Sequence, residues 1–355
     1  MPTQLALYYR RLATQGAQSW KDLLLLCLLV PWGWLYGAVN LVRAWLYRHG
    51  WLPSYRSPVP VISVGNIAVG GTGKTPLVDY LLRWQLSQGR TVAVISRGYG
   101  GEKGAALRVV CAGDGPLLTA AQCGDEPYLL ALRNRQAIII VAPKRADGIR
   151  YALEQFAVDL VLLDDGYQHL AVQRDLDLLL LDSRHPFGNG HLLPAGLLRE
   201  FPQALQRADA VVMTRYAEQR VPQRCSAKPV VCAKQKLADQ AYDLNGKKYP
   251  VTLLKKSRCV AFAGIANPDD FFTALTEMGI LLQATLPLAD HCSYGAETVQ
   301  KIKAVVEDAD ILLTTEKDAV KLSAACFDVP CCAVPLTFEL VASDLLQQRI
   351  ETLFN

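Results

Sequence analysis

Four glycines, a lysine and two threonines stand in one short stretch, VPVISVGNIAVGGTGKTP from Val59 to Pro76, in an order suited to holding phosphate. Gly70, Gly71 and Gly73 lack the Cβ that would keep the backbone from closing on an anion. Lys74 supplies a charge for the β- and γ-phosphates, and the Thr75 hydroxyl a ligand for Mg²⁺. Asn66, Ala68, Val69 and Thr72 complete a loop read as nucleotide-binding. The stretch departs from G-x-x-x-x-G-K-[ST] at one place, where Ala68 stands for the first glycine.

Phosphoryl transfer also needs a carboxylate for the metal and a base for the accepting hydroxyl. Two apolar runs end in aspartate, VLLDD at Asp164 and Asp165 and LLLLD at Asp182. Paired acids followed by Gly166 and His169 are poorly explained as helix caps, so they are read as the Mg²⁺ pair, with Asp182 as the structural alternative. GDEP at Gly124–Pro127 and the neighbours Asp290 and His291 are candidates for the base, because a histidine can orient and tune a carboxylate. Asp125 also suits an N-cap ahead of EPYLLALR, and His291 a surface loop. Spacing alone does not bring the two together. The block HPFGNGHLLPAGLLRE, His185–Glu200, is richer in Gly, Pro and His than a plain connector needs, and its Arg199 and Glu200 suit a phosphate contact and a further metal ligand.

The elements that must position these residues are short apolar runs, each handing over to polar residues at its end. They are Val59–Val64, Thr91–Ile95, Ala137–Val141, Asp159–Leu163, Leu176–Leu181 and Ala210–Met213. Such runs read as parallel strands buried on both faces, and ligands in open α/β sheets bind outside their carboxyl ends. The fold class is therefore α/β, a P-loop NTPase-like parallel sheet flanked by helices. A Lys-rich, apolar-poor stretch over 224–257 reads as an extended linker. Beyond it come strands Cys259–Ala263, Ile311–Thr314 and Cys331–Val334 and a closing helix Glu339–Leu353, a second and smaller α/β unit. The expected division is a helical segment 1–50, a P-loop domain 51–223, the linker 224–257 and a C-terminal domain 258–355.

A chain of 355 residues has room for two such domains. The hydrophobic fraction of 51% and mean hydropathy of +0.15 are high for a soluble enzyme, and part of the excess lies near the N-terminus. Leu23–Val42 is twenty residues without a charge, long enough to cross a bilayer. Pro31 and Gly33 in its middle, Asn40 near its end and basic residues on both sides argue for monotopic attachment, with Trp32, Trp34, Tyr36, Trp45 and Tyr47 at the headgroup level, ahead of a single span. Net charge +4 is mild, which speaks against a nucleic-acid partner and suits an anionic lipid surface. The ten cysteines form no C-x-x-C, so zinc and redox motifs are unsupported and a reducing cytosol is the simplest setting.

SVGNIAVGGTGKTP, SRGYG, GDEP, DDGYQH, HPFGNGHLLPAGLLRE, the DH of LADHCSY and TEKDAVK follow one another behind an apolar helix. From Val59 to Lys321 this ordered set resembles the tetraacyldisaccharide 4'-kinase family of lipid A biosynthesis. The resemblance implies a kinase on the cytoplasmic face of the bacterial inner membrane. It would move the ATP γ-phosphate to the 4'-hydroxyl of an acylated glucosamine disaccharide 1-phosphate, making lipid IVA. It implies two α/β/α lobes joined by a two-stranded linker, Asp125 and His291 as the catalytic pair with Lys74, and Asp164, Asp165 and Glu200 as metal ligands beside Thr75. Arg97, Lys144, Arg145 and Arg199 lie in loops after strands and, with His169, are the expected contacts to the acceptor's 1-phosphate or to nucleotide. ATP and Mg²⁺ are the implied cofactors, and no obligate protein partner is inferred. The alternative reading is a membrane-associated P-loop GTPase or ATPase acting as a nucleotide switch, but the base-reading N-K-x-D motif has no counterpart, and TEKD at Thr315–Asp318 lacks its spacing.

Overall fold

The structure is a computed structural model that describes residues 4–102, 104, 106–216, 221–306, 308–341 and 343–354. Its larger sheet is built from β1 (Val61–Asn66), β2 (Val92–Ser96), β3 (Arg108–Ala112), β4 (Ile138–Val141), β5 (Leu160–Asp164), β6 (Leu176–Asp182), β7 (Ala210–Thr214) and β8 (Val230–Leu237). A smaller sheet takes β9 (Gln240–Asp243), β10 (Lys248–Pro250), β11 (Cys259–Ala263), β12 (Leu282–Pro287), β13 (Ile311–Thr315) and β14 (Cys331–Val334), and β15 (Leu336–Val341) returns to the larger one. The orders are β15-β8-β7-β6-β1-β5-β2-β4-β3 and β10-β9-β14-β13-β11-β12. In the larger sheet every pairing is parallel except at the two edges, β3 on β4 and β15 on β8. β1, β2, β4, β5 and β7 are buried along their whole length, as strands covered by helices on both faces must be.

Two stretches differ from the sequence expectation. Residues 224–257 do not form a separate linker: β8 completes the larger sheet, and β9 and β10 add an antiparallel edge to the smaller one. The end of the chain does not close the smaller domain either. Leu336–Val341 is a strand rather than the start of a helix, and the helix Asp344–Glu351 buries Leu346 and Ile350 in the core of the larger lobe. Arg90 binds Glu351 there, Nη1 to Oε1 at 2.9 Å. Within the larger sheet β8 and β15 pair antiparallel, in register from Leu237 against Leu336 to Cys232 against Val341. The chain leaves for the smaller lobe along one strand and comes back along the other.

Helix α1 (Gln4–Gln15) and helix α2 (Trp20–Arg48) precede the sheet. Ser19 and Asp22 form a capping box at the start of α2, and Asp22 is buried against Arg11 and Tyr8. Pro31 does not interrupt α2, which runs 29 residues, about 44 Å at 1.5 Å per residue. Only a narrow stripe of it meets the protein. Leu26 packs with Ala195, Gly33 lies against Leu192, and Gly37 lets the helix approach so closely that a Cβ there would collide with Leu192 and the Phe201 ring. Asn40 Nδ2 donates to the Arg199 carbonyl at 3.1 Å. The remaining surface exposes Leu23, Leu24, Leu28, Trp32, Trp34, Leu35, Val39 and Val42 to solvent.

Candidate active site

The loop after β1 is held from behind. Asn66 Nδ2 donates to Thr72 Oγ1 at 2.8 Å, the Val69 amide to the Leu197 carbonyl at 2.8 Å, and Thr214 Oγ1 to the Thr72 carbonyl at 2.8 Å. Gly73 caps helix α3 (Lys74–Ser87) with φ +85°, a conformation costly for any residue with a Cβ, and a Cβ would in addition lie 2.5 Å from the Gln235 amide. Residues 69–76 therefore face a cleft of about 1330 Å³ between the lobes with the free amides of a helix N-terminus behind them. Asn66 and Ala68 stand behind the loop rather than in the cleft lining: Asn66 is fully buried, and Ala68 bridges to Leu198.

Lys74 Nζ lies 3.6 Å from Asp165 Oδ1. Asp165 has φ 50°, uncommon for a residue with a side chain, and its carboxylate accepts from Arg199 at 2.9 and 3.1 Å. Burial pushes its carboxyl up, but Lys74 and Arg199 outweigh that and hold it below the ordinary aspartate range. Asp164 ends β5 almost fully buried. Its Oδ2 accepts from Ser96 Oγ at 3.2 Å, while Oδ1 has no hydrogen-bond partner among the described residues. Burial first, then the charges of Glu126 and Asp165, push its carboxyl up to about 7. Two adjacent acids thus sit in opposite electrostatic settings.

The second centre joins the lobes. Gly124 caps the helix Asp125–Arg133, so Asp125 opens that helix rather than capping it, with its charge at the positive end of the dipole. Its Oδ1 accepts from the Glu126 amide at 3.0 Å, and its Oδ2 lies 3.1 Å from His291 Nδ1, 3.6 Å from Lys321 Nζ and 4.0 Å from Lys317 Nζ. Burial raises the Asp125 carboxyl, but the His291 hydrogen bond and the lysine charges outweigh it and leave it lowered. The Asp125 hydrogen bond raises His291 against the opposing effect of burial. His291 holds φ 55° and carries the Tyr99 ring at 5.0 Å between centroids. Three non-glycine residues with uncommon backbone, Asp165, Arg215 and His291, line the same cleft, a pattern typical of sites that hold side chains in place for chemistry.

The family model for tetraacyldisaccharide-1-P 4'-kinase (LpxK) matches residues 25–355. The chain belongs to the tetraacyldisaccharide 4'-kinase family. It is 50% identical to the tetraacyldisaccharide 4'-kinase of Syntrophotalea carbinolica over 99% of both chains, and 46% identical to that of Geobacter sulfurreducens over 82% of both. A solved structure of LpxK from Aquifex aeolicus in complex with ATP matches at a TM-score of 0.79 and 31% identity, covering 93% of this chain and 100% of that one.

In this member of the tetraacyldisaccharide 4'-kinases the other expected site residues divide. Arg97, Arg145, His169 and Arg199 line the cleft. His169 is pushed down to about 4 by burial and by the charges of Arg145 and Arg97, so at neutral pH it is an uncharged imidazole. Arg145 is only 2% exposed and is spent on the fold, donating to the Ala142 and Asp164 carbonyls at 3.0 and 3.2 Å. Burial lowers it to about 10, so it is still a cation at neutral pH. Glu200 departs from the expected metal position: Arg207 binds both its oxygens at 2.8 and 2.9 Å, Gln168 donates to it at 3.0 Å, and it is not among the cleft-lining residues. Asp182 is structural, paired with Arg215 and Arg184. Lys317 and Lys321 were not singled out as site residues from the sequence, although TEKDAVK carried them; the available signal was two lysines four apart on one face of a turn.

Proposed function

We propose that this chain transfers the γ-phosphoryl group of ATP to the 4'-hydroxyl of a tetraacylated glucosamine disaccharide 1-phosphate, forming lipid IVA. The observation that carries the reading is that the phosphate loop and His291 line one interlobe cleft, with Asp125 buried directly behind His291 at 3.1 Å. The loop amides and Lys74 hold the β- and γ-phosphates, where charge builds up in a loose transition state. Asp125 Oδ2 takes the proton of the 4'-hydroxyl as the oxygen attacks phosphorus, and His291 fixes the carboxylate's direction. Arg199 and Arg97 neutralise phosphate at the cleft mouth.

The donors present fit Mg²⁺. Thr75 Oγ1, Asp164 and Asp165 are all hard oxygen ligands, and the buried Asp164 Oδ1 has no hydrogen-bond partner among the described residues. Among the described residues no three His, Cys, Asp or Glu side chains cage a metal by themselves. That suits an ion which takes one or two carboxylates and completes its shell with phosphate and water. Held by these residues, Mg²⁺ would offset the negative charge that builds on the phosphates during transfer. Glu200 we assign to bracing Gln168, not to the metal.

We place the enzyme on the cytoplasmic face of the inner membrane, attached by α2 lying in the interface. The contacts of α2 with the body run from Leu26 to Asn40, which favours a helix laid along the protein over one leaving it to span a bilayer. Asn40 touches the residue that binds Asp165, so the apolar face ends beside the site, where an acceptor whose four acyl chains stay in lipid has to be met. The test is transfer of γ-labelled phosphate from Mg-ATP to detergent-dispersed tetraacyldisaccharide 1-phosphate. Label in the lipid is expected only with acceptor; phosphate released equally without it overturns the reading in favour of a nucleotide switch.

A further inference from the structure

The segment Thr315–Lys321 follows β13 in the small lobe, and all its charged side chains except Asp318 reach toward the helix that carries Asp125. Glu316 Oε1 accepts from Arg133 Nε at 3.0 Å at the far end of that helix, and Arg133 also binds Asp79 of α3 at 2.8 Å. Lys317 Nζ lies 3.0 Å from Glu126, 3.7 Å from Asp290 and 4.0 Å from Asp125. Lys321 Nζ lies 3.6 Å from Asp125, and is held from behind by Asp318 at 3.4 Å and the Cys292 carbonyl at 3.2 Å. Asp318 is itself fully buried and anchored, accepting from the Gly264 amide at 2.9 Å and the Thr315 hydroxyl at 2.7 Å.

The charges around Asp125 therefore come from two sides. Its own helix offers Glu126, and the preceding turn offers Cys123, a thiol that burial raises to about 11. The small lobe offers His291, Lys317 and Lys321, with Asp290 and Asp318 behind them. Among the described residues every cation within 4.0 Å of the Asp125 carboxylate belongs to the small lobe. A carboxylate only 4% exposed has lost the water that would stabilise its charge, and something else must replace it.

We propose that Lys317 and Lys321 are positioning residues for the phosphoryl-transfer base: docked by Glu316 on Arg133, they hold Asp125 as an unprotonated acceptor, so the base is complete only while the lobes are together. The proposal rests on the reading of Asp125 as the base. It ties proton abstraction to the apposition of the lobes, so an open enzyme that has bound ATP lacks an effective acceptor for the hydroxyl proton.

The test uses the full chain with Mg-ATP and detergent-dispersed acceptor, comparing wild type, Lys321→Met, Lys317→Met, Lys321→Arg and Asp125→Asn across pH. Removing a nearby cation raises a carboxylate's pKa, so the ratio of Lys321→Met to wild-type kcat/KM is expected to fall at least about threefold between pH 8 and pH 5. Lys317→Met is expected to behave alike, KM for ATP to stay within about twofold, and Lys321→Arg to restore the wild-type profile. Equal thermal shifts on adding nucleotide check that the variants are folded. A pH-independent ratio for both methionine variants, or an arginine variant no better than methionine, overturns the proposal. Full turnover by Asp125→Asn removes instead the base reading beneath it. A collapsed Asp125→Asn beside pH-independent lysine variants removes only the lysines' role.

Discussion

His291 Nδ1 and Asp125 Oδ2 lie 3.1 Å apart although 166 residues separate them, and the contact crosses from one lobe to the other. In the proposed mechanism this carboxylate acts only on the acceptor's proton in the transition state, not on the ground-state binding of ATP. Asp125→Asn is therefore expected to lower kcat by about 10²- to 10⁴-fold while KM for ATP changes less than about threefold. His291→Ala should cost less, about ten- to a hundredfold, because the carboxylate remains. Steady-state kinetics with both substrates varied check this, and an Asp125→Asn enzyme that kept its kcat and lost ATP affinity would falsify the assignment.

The same pair makes lobe contact depend on pH. Asp125 is lowered from 3.8, so its contribution is present above that value and lost as pH falls below it. His291 is raised from 6.5, so its contribution is full below 6.5 and lost as pH rises through the raised value. Both act together between 3.8 and 6.5. His291→Gln is thus expected to destabilise by about 1 kcal/mol near pH 5.5 and by less at pH 9. Thermal melts of the two proteins at both pH values measure it, and a difference that grew toward pH 9 would contradict the sign.

Asp164, the proposed metal ligand, offers the opposite case, a carboxylate whose burial weakens the fold. Burial raises it from 3.8 to about 7, so the unfolded chain ionises first and stability is lost as pH climbs through that interval. Asp164→Asn removes the cost. With chelator present, the variant is expected to be more stable than wild type by about 2 kcal/mol at pH 8 and by little at pH 4. Its kcat should fall at least about a hundredfold, and Mg²⁺ with an ATP analogue should stabilise it less than wild type. A variant less stable than wild type at pH 8 would mean that Ser96 and the nearby cations outweigh the cost of burying the Asp164 charge.

The parts of this molecule legible in its sequence are those where one physical demand dominates. β1, β5 and β6 are buried on both faces and had to be continuous apolar runs, and the loop after β1 had to be nearly all glycine and small residues. β12 and β15 were not legible because they are edge strands with alternating exposure, and LTFELV carries no continuous apolar run. The helix following β15 is real, so its pattern extended the expected helix backward over the strand. Glu200 shows a different limit. Its position in LRE suited a metal, but the competing cation, Arg207, lies only seven residues on, and the choice between them is made by a 3₁₀ turn at Pro202–Arg207 that brings the guanidinium back. The family resemblance paired Asp125 with His291, but spacing could not show Lys317 and Lys321 beside it, because among the described residues the cations touching it arrive from the other lobe.

Gly37 tests whether α2 aims the site at the membrane. The helix meets the body through a stripe so tight that a Cβ at Gly37 overlaps Leu192 and Phe201, while its outer face keeps Trp32, Trp34 and Val39 exposed. Gly37→Val forces these side chains aside at a cost of about 1 to 3 kcal/mol and leaves the outer face unchanged. Attachment to vesicles is then expected to persist, because the apolar surface that enters lipid is intact. The register between α2 and the Arg199 loop, set through Asn40, is what shifts. Transfer to acceptor embedded in vesicles should therefore fall about tenfold, against about twofold for acceptor dispersed in detergent, which approaches from any direction. Co-sedimentation and the two assays together decide it. Equal losses in both assays would show that α2 stabilises the larger lobe without directing it toward the lipid surface.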